Sequence, residues 1–140
     1  MIARRLLLVA GMGAALGAVP AAVDAALVRL KTGAAEDDIV AALHEARALA
    51  LSRRQPVRVL VDERMRSISV EGGRWRKVPD GVTLAGPPAN RGGQGVIVFA
   101  ADGSSSGGQI VVGWRDRAVS VLVDGASGHV RRVRARTSRL

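Results

Sequence analysis

Read from its amino terminus, the chain changes hydrophobic period twice. Leu6 to Val23 carries no charge, Ala34 to Arg53 places apolar residues at three- and four-residue steps, and from Val57 onward apolar and polar residues alternate. The first pattern predicts an apolar helix, the second an amphipathic helix and the third a series of half-buried strands. In the second segment Ile39, Leu43, Ala46, Ala50 and Leu51 form one apolar stripe suited to lying on a sheet. Thr32 and Gly33 ahead of Glu36, Asp37 and Asp38 predict the helix start, because carboxylates in a first turn meet the positive end of the helix dipole. Arg53 and Arg54 suit its end, and Pro56 stops it.

Beyond Pro56, Val57, Val59 and Val61 face one way and Arg58 and Asp62 the other. Ile68 and Val70 repeat the alternation after a turn at Asp62 to Arg66, which predicts an antiparallel hairpin. Gly72-Gly73 marks the next turn, followed by a short strand at Trp75 and Val78 and another at Val82 and Leu84. Gly86 to Gly95 reads as a loop. The remaining strands are expected at Val96 to Phe99, Gln109 to Trp114, Ala118 to Val123 and His129 to Val133. Short strands at this spacing, with no helix between them, predict an antiparallel two-sheet head of sandwich type. The fold class is therefore α+β: an apolar helix continuing into an amphipathic one, packed on an all-β head. Three regions follow: residues 1–33 as anchor and linker, 34–133 as head, and 134–140 as a basic tail expected to fray from the last strand.

Composition narrows the picture. Hydrophobic residues make up 48% of the 140 but aromatics only 2%, so any core must be built from Val, Leu, Ile and Ala, with Trp75, Trp114 and Phe99 the only large rings available. Cysteine is absent, which excludes a disulfide scaffold, a thiolate nucleophile and a Cys-ligated metal. The apolar segment, with Leu6, Leu7, Leu8, Val9, Leu16, Val19 and Pro20, follows Arg4 and Arg5. It is near the lower limit for a bilayer span, about 20 residues. An uncleaved anchor is the favoured reading and a cleaved signal peptide the second; in both, Arg4 and Arg5 stay cytoplasmic and the rest is exported. Gly13 and Gly17 form a G-x-x-x-G pair that lets two such helices approach closely.

Three strings give the order of elements a family likeness. Glu45 to Val57, Phe99 to Ile110 and Val121 to Val130 resemble the helix end, the Gly-Ser-Ser and Gly-Gly connection and the closing hairpin of the GspH/FimT family of pilin-like proteins. The resemblance covers roughly Ala34 to Arg132 and implies a minor pseudopilin of type II secretion. Such a protein has a single-pass inner-membrane anchor and a periplasmic head that joins other pseudopilins in a short filament. The chain departs from that family in lacking a Gly-Phe-Thr leader and a Glu in the apolar segment, although Pro20 sits where the anchor helix commonly carries a proline. A start codon placed too late, or a divergent member that prepilin peptidase does not process, accounts for the departure.

Candidate chemistry is sparse. Asp102 to Gly108 lacks the Lys-Ser/Thr ending and following helix of a phosphate loop, so its glycines are expected to turn the chain and its serines to bond nearby backbone. His44 and His129 have no partner at metal-ligand spacing, and Ser104, Ser105 and Ser106 no nucleophile elbow. No catalytic role, cofactor, metal or small-molecule substrate is expected. Glu36, Asp37 and Asp38 offer a contact to a basic neighbour as a second reading beside the helix dipole. The formal charge of +9 is concentrated partly in Arg131, Arg132, Arg134, Arg136 and Arg139. That row suits an acidic partner or, in a FimT-like alternative, DNA phosphates.

Overall fold

The computed structural model describes residues 21–136. The anchor residues Leu6 to Pro20, the Gly13/Gly17 pair and Arg139 lie outside them. One helix, α1, runs Ala21–Arg53, and eight strands follow: β1 Val57–Asp62, β2 Ser67–Val70, β3 Arg76–Lys77, β4 Thr83–Ala85, β5 Gln94–Phe99, β6 Gly108–Trp114, β7 Arg117–Val123 and β8 Val130–Arg136. The chain divides into two units, Met1–Leu30 and Lys31–Leu140. The described part of the first is helical, with Val23, Leu27 and Leu30 exposed. Among the described residues no helix is long and apolar enough to cross a membrane.

Thr32 and Gly33 do not begin the helix; it passes through them. An interior glycine costs only about 1 kcal/mol relative to alanine. The uninterrupted hydrogen-bond ladder on both sides outweighs that. At the other end Arg54 turns into the left-handed region at φ 53° and Pro56 prevents continuation. The buried face of the helix comprises Ala35, Ile39, Ala42, Leu43, Ala46 and Ala50, whereas Leu51, expected in that stripe, is 43% exposed. Four of these six buried positions are alanines.

The strands form two four-stranded antiparallel sheets, ordered β3-β2-β1-β5 and β4-β6-β7-β8. The expected hairpin is present in register, with Val59 opposite Val70 and Val61 opposite Ile68. The chain then crosses to the second sheet for β4, returns to pair β5 with β1, and crosses again for β6 to β8. Inward-facing residues of both sheets meet the helix in one aliphatic cluster that includes Val59, Val61, Ile97, Phe99, Ile110, Val112 and Val121, each at most 1% exposed. Each such side chain contributes about 1.5–3 kcal/mol on burial. Burial of this cluster is the main drive to fold.

Strand β8 is longer than expected. It pairs with β7 as far as Arg136 opposite Arg117, so residues 134–136 are strand and not frayed tail. Its ladder hydrogen bonds do not depend on side-chain polarity, and an edge strand tolerates a row of cations that discourages further pairing. Gly33 has no atom within 4 Å of where a Cβ would stand. Gly33→Ala should therefore raise the stability of the chain by about 0.5–1 kcal/mol, read as a shift in the urea midpoint.

Candidate functional site

The three family-like strings meet at one side chain. Arg47, on the last turns of α1, donates from Nε to the carbonyl of Gly103 at 3.1 Å and from Nη2 to the carbonyl of Ser127 at 3.3 Å. Gly103 lies in the β5–β6 connection and Ser127 in the β7–β8 turn, so one guanidinium ties the helix to loops 56 and 80 residues away. The planar fork of arginine suits this task, since two donors leave one rigid group in different directions. Hydrogen bonds from an ionised donor are also stronger than neutral ones.

Each loop is shaped to receive it. Gly103 has φ 88° and Gly128 φ 68°, both in the left-handed region. A Cβ on Gly128 would overlap the Gly103 carbonyl oxygen and come within 3.0 Å of Arg47 Nε. Only glycine lets the two turns and the guanidinium share this space. The turns carry matching internal caps: Asp102 accepts from the amide and hydroxyl of Ser104 at 3.0 and 2.6 Å, and Asp124 from those of Ser127 at 2.8 and 2.7 Å. These bonds hold both carboxyls below the usual range, the serine hydroxyls being the largest cause. Ser105 joins the loops directly, its amide donating to Gly125 and its hydroxyl to the Asp124 carbonyl. The Gly-Ser connection thus acts as expected, and it reaches a second loop besides its own backbone.

The acidic run serves the last strand. Arg132 donates to Asp37 at 2.8 Å and lies 3.5 Å from Glu36, which is 7% exposed. Because α1 continues through this region, Glu36 and Asp37 are not a first turn, and the dipole does not explain them. Arg132 in turn is engaged within the chain, while Arg131 and Arg134 are exposed. His44 and His129 are both exposed, and no cluster of three or more His, Asp or Glu occurs among the described residues. A shallow open groove of about 550 Å³ lies beside the β7–β8 turn, lined by Leu122, Asp124, Ser127, His129 and Arg131.

Arg47→Ala removes both links and should cost about 2 kcal/mol in equilibrium unfolding, and Arg47→Lys should recover no more than one of the two bonds. Gly128→Ala should cost more than the roughly 1–2 kcal/mol of left-handed strain, because the new methyl also displaces Gly103. The lowered carboxyls of Asp102 and Asp124 set an acid limb. Their contribution is complete at neutral pH, above the unfolded-state carboxyl value, and is lost as pH falls through the folded values. A joint Asp102→Asn, Asp124→Asn variant should show a shallower loss of stability on acid titration than the parent chain; an equal slope would deny these groups that role.

Comparison with known proteins agrees with this geometry. The model of the family described as type II transport protein GspH matches residues 35–134, which contain Arg47 and both of its loops. No curated protein sequence matches the chain. The fold is similar to that of the minor pseudopilin EpsH from the type 2 secretion system of Vibrio cholerae, with a TM-score of 0.57 at 14% identity, covering 74% of this chain and 97% of that one. It is also similar to the type IV minor pilin FimU of Pseudomonas aeruginosa, with a TM-score of 0.58 at 14% identity, covering 74% of this chain and 88% of that one. With the family match spanning well over half of its length, the chain belongs to the GspH family of pilin-like proteins.

Proposed function

We propose that the protein is a minor pseudopilin of a type II secretion system, a structural subunit of the filament that exports folded proteins, with no reaction of its own. The observation that carries this reading is the family match over the whole Arg47-bound head. A head whose helix, β5–β6 connection and closing hairpin are tied at one point presents fixed surfaces, which repeated contact with sibling subunits requires. Membership of the family implies assembly with other pseudopilins. The apolar segment upstream of α1 would hold the chain in the inner membrane with its head in the periplasm.

A second reading is DNA capture by a minor pilin. Arg131 and Arg134 stand exposed on an edge strand, where they can neutralise phosphates without reading sequence. Arg132 is less suited to that task, because Glu36 and Asp37 already compensate it.

Deletion of the gene should reduce secretion of type II exoproteins, and the full-length chain should restore it and fractionate with inner membrane. A version beginning at Ala34 should be soluble and fail to restore secretion. Unchanged secretion after deletion would overturn the first reading. The second would gain if DNA binding by the chain fell steeply with salt and disappeared in an Arg131→Gln, Arg134→Gln variant.

A further inference from the structure

The edge of the first sheet carries a run of exposed side chains, residues 71–77. Strand β3 is its outermost strand and pairs only with β2, through Ser67 opposite Lys77 and Ile68 opposite Arg76. Its other backbone edge faces no strand. Arg76 turns to the helix, where its guanidinium meets Glu45 at 2.9 Å. Strand alternation places Lys77 on the opposite face, and Trp75 immediately precedes the strand. Trp75 is 47% exposed, although it is one of three large rings in the chain and the core could have used it.

The charges around Trp75 are not balanced. Neighbouring acids already have partners: Glu45 holds Arg76, Glu71 holds Arg58 and Asp80 holds Arg66. Arg74 and Lys77 are exposed and have no ion pair among the described residues. A half-exposed tryptophan flanked by free cations on an open strand edge has the composition of an interface centre, where Trp and Arg supply most of the binding energy. An isolated ring does not make a track for a single nucleic-acid strand, which stacks successive bases on several aromatics. An open edge instead offers backbone pairing to an extended peptide.

We infer that the β3 edge is a docking site for an acidic extended segment of another pilin-like subunit. The segment adds a strand beside Arg76 and Lys77, covers the Trp75 ring with an apolar side chain and sets its carboxylates against Arg74 and Lys77. The inference rests on the reading of the chain as a filament subunit, and it assigns one of the contacts that reading needs.

The test uses the full-length chain in its native cells, with a benzophenone amino acid in place of Trp75. Cross-linking should capture one pilin-like subunit through a peptide in which Asp and Glu outnumber Lys and Arg. The yield should fall at least tenfold in an Arg74→Glu, Lys77→Glu background whose thermal unfolding matches the parent. A neutral or basic captured peptide, or a yield unaffected by charge reversal, overturns the proposal. So does binding of an oligothymidylate, or of phosphatidylglycerol vesicles, that is lost on Trp75→Ala. If the parent chain still co-purifies with pilin-like subunits while position 75 captures none, this inference alone fails; if the parent co-purifies with none, the filament reading fails with it.

Discussion

A single guanidinium holds the head in one arrangement. Arg47 projects from the helix to two backbone carbonyls that lie in different loops, and those loops are further joined by Ser105 and by the close approach of Gly103 and Gly128. The aliphatic contact that brings helix and sheets together is strong but not directional. Hydrogen bonds to fixed carbonyls supply the direction. The aliphatic cluster therefore determines that the sheets and helix come together, and the arginine determines where the loops stand relative to the helix.

Charge is distributed by the same logic. A chain with a formal charge of +9 must place its cations where they do not oppose packing. Some are spent within the fold: Arg47 on carbonyls, Arg58 on Glu71, Arg76 on Glu45 and Arg132 on Glu36 and Asp37. The exposed pairs contribute little to stability individually, about 0–1 kcal/mol each. They do decide which cations remain for other molecules. Arg74 and Lys77 at one sheet edge and Arg131 and Arg134 at another are among those left facing solvent, as are Arg53, Arg54, Arg64, Arg91 and Arg117. Exposed cations thus stand on an edge strand of each sheet.

Much of this architecture was legible in the order of residues. A strand lies in or between the positions predicted for each, because alternation of apolar and polar side chains reports a local backbone geometry that the sheet then uses. The bounds differ, since β3 holds only Arg76–Lys77 and β5 begins at Gln94 inside the expected loop. Most of the helical stripe was legible for the same reason, although Leu51 lies against the Gly103 turn and is half exposed. The likeness of three strings to one family was also readable. Their meeting point was not, since nothing local to Arg47 distinguishes it from the other arginines of α1.

The sequence by itself determined the elements, their turns and the aliphatic character of the core, since these depend on side chains within a few residues of one another. Tertiary structure decided the rest. The exchange of β4 and β5 between sheets, the passage of α1 through Gly33 and the extension of β8 to Arg136 all follow from which surfaces and edges remained to be paired. The partners of Arg47 and Arg132 lie 56 to 96 residues away. Contacts at that separation form only once the chain has closed its loops, so no periodicity along the chain records them.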